Sequence, residues 1–404
     1  GNQFETFFSA ATFSKYTDSL KVVRVESGIL NAGANSGILI RDDDHYEASF
    51  ANGEGSHGEW AARTAGTHGN SLRVEICPSA TAYEQDLSTN NLVNGAGAVG
   101  DATITVDDAD ASGFAFNVGD LVSFYSDTAN TTAVDDFNEY QVTAINTSTN
   151  ALTVRLKDDP SGAGLQTAIP NDSKIKRRWK YADQFSGAPG TSDYNTNNSR
   201  GSNDELHVVV ADADGLITGF DTDTAGNRTK AVIETFGNMS KNSSAKSPQG
   251  DSIYYADVIR AKSNFIYWTD HISAGSNWGT DTTTTYTSVV PITIDTLTGG
   301  TDDFSTTAGE IELAYDKFKD TESEDINLVI GGSSSLVADT STGHDTHVTM
   351  ITNLVESRKD CVGFVSPYRS ATVGVTTSSK QASNVRVAAD LCPSSSYMVF
   401  DSGY

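Results

Sequence analysis

A glycine-rich stretch, residues 95–100, matches the pattern G-x-G-x-x-G, which cradles a pyrophosphate in dinucleotide-binding proteins. That chemistry requires a strand before the glycines and a helix after them, so that the phosphate meets a helix N-terminus. Here the residues that follow, 101–106, alternate polar and apolar side chains and predict a strand. We therefore interpret the stretch as a flexible hinge and not as a nucleotide site.

Two other stretches have the residue types of metal ligands but not their spacing. Residues 221–227 begin like a calcium-binding loop, but the fifth position is Ala225 and the twelfth is Val232. Two oxygen ligands are therefore missing, and an acidic turn is favoured. His344 and His347 lack the H-E-x-x-H spacing and have no second ligand cluster, so this segment is predicted to begin a helix.

The sequence contains neither a G-x-S-x-G nucleophile elbow nor a P-loop. We predict no catalytic, cofactor-binding or metal-binding residue and no enzymatic activity. A chain of 404 residues without such a site is expected to work by making contacts. The rival interpretation is an enzyme or a carbohydrate-binding module. It predicts a deep pocket at Gly331 or Pro367, lined by acids of shifted pKa.

The chain is strongly acidic, with 27 Lys and Arg against 53 Asp and Glu and a net charge of −26. Nucleic-acid binding needs a positive footprint, so the charge argues against nucleic acid as a partner. One basic run, residues 174–180, interrupts the acidity. We favour an edge strand protected by Lys and Arg. The alternative is a patch complementary to an acidic face of a neighbouring copy.

Apolar runs in this sequence are short. None approaches the ~20 residues that a membrane span requires, and the N-terminus has no signal-peptide pattern. Cys77, Cys361 and Cys392 each lie inside or beside an apolar run, in a spacing that fits no metal motif. We predict that all three are buried free thiols.

The elements that must position any functional surface are best defined at residues 324–404. Three apolar runs predict buried strands: residues 326–330, 361–365 and 397–400. Between them, two sets of apolar residues at helical spacing predict helices: Val348, Ile351, Leu354 and Val355, then Val385, Val387, Ala388 and Leu391. Asp345 or Thr346 is the predicted N-cap of the first helix. Strands alternating with crossover helices predict a parallel sheet with helices on both faces.

The N-terminal region has a similar texture. Residues 4–11 predict a short helix, residues 20–25 a strand, and residues 42–50 a helix that Asp42 caps. Residues 72–77 predict another strand. We expect both chain ends to share one sheet and to form an α/β core domain from residues 1–85 and 302–404.

Two insertions are predicted within that core. Residues 86–180 alternate apolar and polar side chains with period two, with a hairpin turn at 146–150, and predict an antiparallel β-barrel or sandwich. Residues 181–301 predict a second, mixed α+β insertion, with strands at 206–210 and 265–268. The predicted fold class is therefore α+β and multidomain.

Several stretches, in this order, resemble a tail sheath protein of contractile-tailed bacteriophages. Residues 8–25 are similar to the sheath helix-then-strand segment. Residues 60–74 match the sheath pattern W-x-A-[KR]-x-x-G-x-x-G-N-S-L-x-V. Further similar stretches follow along the chain: residues 234–236, 240–241, 245–246, 254–259, 298–300, 325–328, 358–362, 365–367 and 396–404. The resemblance covers most of the chain except roughly residues 86–180.

The resemblance implies a structural virion protein of a myovirus, without enzymatic activity or cofactor. Sheath subunits polymerise as stacked hexameric rings around a tail tube and contract to drive the tube through the host envelope. The implied partners are further copies, the tail tube protein, and the baseplate and neck or terminator proteins. Direct nucleic-acid contact and membrane insertion are not expected.

Such a protein assembles in the host bacterial cytoplasm and resides in the virion. In the family, an inner domain holds the rings together by exchanging terminal strands between subunits, and most of that domain is expected to be absent from this chain. A sheath of a non-phage contractile injection system shares the fold and remains an alternative.

Overall fold

The computed structural model describes residues 3–87, 91–110, 116–127, 131–159, 161–219, 221–222, 228–229, 231–290, 292–334 and 337–402. The chain divides into two compact units. Gly1–Ile29 and Asp303–Tyr404 form one, named here the terminal unit. Leu30–Asp302 forms the other, named the central unit. Helices and strands occur in both, so the chain is of mixed α+β class.

The helices, in chain order, are α1 (Gln3–Phe13), α2 (Asp43–Ser49), α3 (Ala80–Tyr83), α4 (Asp193–Asn197), α5 (Tyr255–Lys262), α6 (Ala308–Asp316), α7 (Ser341–Arg358) and α8 (Ser378–Asp390). The first strands are β1 (Trp60–Ala62), β2 (Leu72–Cys77), β3 (Glu84–Asp86), β4 (Thr103–Thr105), β5 (Leu121–Tyr125), β6 (Tyr140–Asn146), β7 (Ala151–Leu156) and β8 (Lys174–Arg178). The remaining strands are β9 (Glu205–Asp212), β10 (Asp221–Thr222), β11 (Arg228–Thr229), β12 (Ala231–Ser240), β13 (Ile266–Trp268), β14 (Thr293–Thr296), β15 (Leu328–Ser333), β16 (Val362–Ser366) and β17 (Met398–Phe400).

The terminal unit contains a parallel sheet of β15, β16 and β17 in that order. Helix α7 connects the first two strands and α8 the last two, as the alternation of apolar and amphipathic runs predicts. The four apolar residues predicted for α7 are all buried in one cluster with the sheet: Val348, Ile351, Leu354 and Val355. The parallel strands and their crossover helices are therefore confirmed.

The predicted N-cap of α7 is wrong. Asp345 and Thr346 lie inside the helix, which begins at Ser341. Thr340 is the N-cap, because its extended backbone lets the hydroxyl accept a hydrogen bond from the Gly343 amide at 3.1 Å. At the other end, Lys359 adopts a left-handed conformation with φ of 62° and stops the helix.

The predicted helix near the N-terminus is present as α1, but the strand predicted at residues 20–25 is not. In the described backbone these residues pair with no other strand, although their Val and Leu content favours one. A strand needs a partner edge as well as a propensity. Composition alone does not reveal whether that edge is available.

The expectation that both chain ends share one sheet is wrong. Strand β2 pairs within the central unit, in an antiparallel sheet of order β12-β9-β2-β14. Every residue of β9 after Glu205 is buried, and β9 lies between β12 and β2. Buried side chains of this sheet pack with the β1–β13 pair and with α5 in the main core of the central unit. The predicted domain boundaries at 85, 180 and 301 stay predictions.

The strands between residues 84 and 178 form one antiparallel sheet of order β3-β8-β5-β6-β7-β4. The predicted hairpin is confirmed, because β6 and β7 pair across the turn at residues 147–150. The predicted barrel is not supported, since the described strands β3 and β4 remain edges of an open sheet. One isolated bridge, between Val93 and Val106, links the segments that flank these edges and does not extend into a ladder.

Helix α7, with 18 residues, is long enough to be considered as a membrane span. Neither it nor any other helix in the described part of the chain is both long and apolar enough to cross a membrane.

Candidate interaction surface

The glycine stretch at residues 95–100 is part of the backbone pairing of the central unit. Gly97 bridges Ile169, and the Gly100 amide donates to the Leu165 carbonyl at 2.7 Å. The strand predicted after the motif is present as β4. The glycine amides that a phosphate would need are thus partly used by neighbouring carbonyls. Of the calcium-like loop, residues 223–227 lie outside the described residues.

His344 and His347 lie on α7 and make internal hydrogen bonds. Both imidazole nitrogens of His344 have partners: Ser334 Oγ at 3.3 Å and the Ala388 carbonyl at 3.0 Å. His347 Nε2 lies 3.1 Å from the Tyr315 hydroxyl. Burial lowers the pKa of both histidines, that of His347 to about 4. In the part of the chain that the structure describes, no group of His, Cys, Asp or Glu could hold a metal ion.

The basic run does not form an edge strand, so the favoured interpretation is wrong. Its strand, β8, lies between β3 and β5 and pairs with both. Ile175, Arg177 and Trp179 point inward and are buried, whereas Lys176 and Arg178 point to the other face. The alternation is that of an internal strand with one buried face.

Four of the five cations of this run form ion pairs within the same chain. Lys176 pairs with Glu84 at 2.7 Å, and Arg178 pairs with Glu139 at 2.5 Å and also with Asp183. Because these charges are already paired, the alternative of a basic patch for a neighbouring copy has little free charge to use.

The three cysteines are free thiols. Cys77 and Cys361 are buried as predicted, whereas Cys392 is half-buried. Burial raises the pKa of all three, that of Cys392 to about 11, which keeps them protonated and unreactive at neutral pH.

Exposed apolar side chains are concentrated in the terminal unit. Of the seventeen large hydrophobic residues with exposed side chains in the described chain, thirteen belong to this unit, which holds about a third of the residues. They are Phe4, Phe7, Phe8, Tyr16, Leu20, Val22, Phe304, Leu313, Leu328, Ile330, Val373, Val387 and Val399. The central unit has four: Val99, Val118, Phe137 and Leu216. These side chains define the candidate interaction surface.

Helix α1 provides one part of this surface. Phe4, Phe7 and Phe8 lie at helical spacing on one face and are all exposed, with Phe7 at 66%. A groove of about 520 Å³ runs between the helix and the sheet. Six residues line it: Phe8, Ser9, Thr12, Phe13, Tyr16 and Ile330. No acidic side chain lines it, so it lacks the acids that the rival enzyme interpretation requires.

The open face of the parallel sheet provides a second part. Side chains alternate along each strand, so that Val329 and Val365 face α7 and are buried. Ile330 and Val399 flank Phe364 in register and lie on the opposite face, where both are exposed. Both faces of this sheet are therefore apolar, but one of them is only partly covered.

The sequence shows the apolar spacing of α1 but not which side of it is exposed. That information depends on what the rest of the unit covers. The one signal in the sequence for such a surface is that the predicted helices and strands contain more apolar positions than the predicted helices can cover.

Comparison with known proteins adds no assignment: no family model matches the chain, and no curated protein matches it.

Proposed function

We propose that this protein is a structural virion protein, a subunit of the contractile tail sheath of a myovirus. It polymerises as stacked hexameric rings around the tail tube and contracts to drive the tube through the host envelope during genome ejection. The observation that carries the proposal is the exposed apolar surface of the terminal unit, α1 together with the open sheet face. The sheath assignment itself rests on the resemblance of the sequence.

The apolar surface supports a protein that functions as an array. Thirteen large hydrophobic residues exposed in so small a unit are unfavourable for a monomer in water. Repeated contacts between identical chains bury such residues and generate helical assemblies. The partners are further copies, the tail tube protein, and the baseplate and neck or terminator proteins, without direct nucleic-acid contact or membrane insertion. Assembly takes place in the host bacterial cytoplasm, and the product resides in the virion.

The segment at residues 20–25, which joins no strand ladder in the described backbone, supports the same proposal. It is rich in β-forming residues, and Lys21 within it forms an ion pair with Glu324 of the same unit. Strands without partners pair with strands of other chains, so this segment is suited to an exchange of strands between subunits. Contraction then draws on newly buried contacts and needs no nucleotide. Particles that contract only when ATP is present would contradict this part of the proposal.

The test is negative-stain electron microscopy of the purified chain and of the particle that contains it. We expect tubes with a helical surface lattice. Phe7→Ser removes an apolar ring from the terminal surface and is expected to abolish or shorten the tubes. Phe137→Ser is the matched control, because Phe137 is equally exposed, at 62%, but lies in the central unit.

Equal loss of tubes in both variants would show that the terminal surface has no special part in assembly. A chain that stays monomeric at every concentration, in a particle without any ordered array, would overturn the proposed function.

A further inference from the structure

An inward-facing carboxyl group lies on the edge strand β14 of the central unit. Asp295 stands opposite Val74 of β2 in the antiparallel register, so both side chains point to the same face of the sheet. That face carries the main core, of which Val74 and the fully buried Trp60 are members. An acid in this position is unusual, because the cost of burying its charge must be offset by partners.

Asp295 lacks such partners. Its Oδ2 atom is buried and accepts no hydrogen bond, and Asp295 forms no ion pair within the described part of the chain. Trp60 Nε1 is close enough to favour the charged carboxylate, yet neither atom completes a hydrogen bond with the other. Two buried polar atoms therefore lie together unsatisfied.

The charged groups around Asp295 do not supply a compensating cation. Glu59, which precedes Trp60, adds a second negative charge. On β2, Arg73 and Glu75 flank Val74, so they point to the opposite face, where the Arg73 Nε and Glu75 Oε1 atoms lie 2.8 Å apart. Neighbouring positions on β14 itself are uncharged.

We propose that the Asp295 carboxyl holds a proton against the Trp60 core, and that release of this proton loosens the edge strand β14 from that core. The protonated Asp295 carboxyl is neutral, so its burial in the apolar face costs far less than burial of the charged form. Once charged, it is desolvated and repelled by Glu59, and the nearby Trp60 indole offsets only a small part of this cost. The edge of the sheet is thereby sensitive to pH.

The electrostatics agree with the geometry. Burial first, and then the charge of Glu59, raise the pKa of Asp295 to about 7, while Trp60 lowers it by a smaller amount. A carboxyl whose pKa is raised in the folded chain stabilises the fold at low pH, and this contribution is lost as the pH rises toward the folded-state pKa. The loss therefore falls between the ordinary pKa of Asp, roughly 4, and about 7.

The experiment compares urea unfolding of the wild type and Asp295→Asn from pH 5 to pH 8.5. Tryptophan fluorescence reports this unit, because Trp60, Trp179, Trp268 and Trp278 all belong to it. Asn imitates the neutral acid but cannot ionise in the unfolded chain, so at pH 5, about one unit above the unfolded-state pKa, the wild type should already be the less stable of the two. The unfolding constant of the wild type should rise relative to the variant by up to about tenfold per pH unit and level off above pH 7.

Two further variants sharpen the result. Glu59→Gln removes the repelling charge and should lower the folded-state pKa of Asp295, so the rise should level off at a lower pH and be smaller in total. Asp44→Asn changes an exposed acid of α2 and should leave the wild-type pH dependence unaltered. Identical pH dependence in the wild type and Asp295→Asn would overturn the proposal.

A direct measurement keeps the proposal testable if Asp295→Asn folds poorly. The indole Nε1–H resonance of Trp60, assigned with Trp60→Phe, should shift with a midpoint near pH 7 as the neighbouring carboxyl loses its proton. A resonance that stays constant from pH 5 to pH 8.5 would also overturn it.

Discussion

Gly363 of β16 lies where α7 packs on the parallel sheet, and a single added methyl group there tests how closely the two are fitted. A Cβ at this position would stand 2.6 Å from Met398 Sδ and 2.8 Å from Ile351 Cγ2. The flexible Met398 side chain can turn away. Ile351 is fully buried and β-branched, so it can move only if α7 moves with it.

Gly363→Ala is therefore expected to destabilise the terminal unit. Forcing an extra methyl into a packed core costs about 1–3 kcal/mol, and a β-branched neighbour places this site at about 2 kcal/mol. Gly309→Ala, in α6, is the matched control in the same unit. No atom lies within 4 Å of the new methyl there, and Ala replaces Gly in a helix with a gain of about 0.5–1 kcal/mol.

The assay must report the terminal unit alone. Tryptophan fluorescence cannot do so, because all four tryptophans belong to the central unit. Hydrogen exchange followed by mass spectrometry over a urea series gives the stability of peptides from α7 and β16. We expect Gly363→Ala to lower their urea midpoint and Gly309→Ala to raise it. A midpoint that rises in both variants would refute the close fit of α7 on the sheet.

Two predictions concern the central unit and use urea unfolding followed by tryptophan fluorescence. Arg177→Met should lower the free energy of unfolding by about 3–5 kcal/mol, because it leaves the buried Asp120 carboxylate without its cation. The control Lys176→Met breaks an exposed pair and should lower it by less than about 1 kcal/mol. Similar losses in both variants would show that the buried pair is unimportant for stability. Burial lowers the pKa of His207, whose Nδ1 accepts a hydrogen bond from the Asn238 amide at 3.0 Å. The unfolded chain therefore binds a proton at this histidine more readily than the folded chain. The free energy of unfolding should fall as the pH drops below about 6.5, by up to about 1.4 kcal/mol per pH unit. His207→Asn cannot titrate and should show a shallower fall; an unchanged slope would assign the effect to other histidines.

The C-terminal sheet could be predicted because local pattern and global fold agree there. The apolar runs that form β15, β16 and β17 each fit one strand, and the 3.6-residue spacing between them fits α7 and α8. A parallel pair joined by a helix leaves few alternative topologies. Element ends were less accurate, since the strand predicted at residues 326–330 is β15, Leu328–Ser333.

Partner choice between distant segments could not be predicted. Residues 72–77 have the right composition for a strand in either sheet, and β2 is placed by β9 and β14, more than 130 residues away. The prediction that the basic run forms an edge strand was wrong for the same reason. Glu84 and Glu139, which neutralise it, are 92 and 39 residues from their partners, a separation that no local pattern encodes.

The sequence predicts the apolar face of α1 but does not show that this face is exposed. Phe4, Phe7 and Phe8 predict one apolar helix face, and a helix with such a face normally covers a core. In the terminal unit the core is already covered by α7, so this face and the Ile330 face of the sheet remain exposed. Exposure is a property of the whole unit, and no spacing within one helix determines it.

In the assembly proposed above, the acidity and the apolar surface would act over different distances, which would keep the chain dispersed before it assembles. A net charge of −26 repels other copies out to about one Debye length, roughly 8 Å at physiological ionic strength. Apolar burial acts only at contact and is not directional, so by itself it would also stabilise mismatched pairs. Because every copy carries the same sign, an encounter is favourable only where enough apolar surface is buried in one step to exceed the repulsion. Phe7, Ile330 and Val399 lie in the unit where that surface is largest. In the proposed assembly, charge would therefore disfavour partial contacts, and the apolar faces would determine the register.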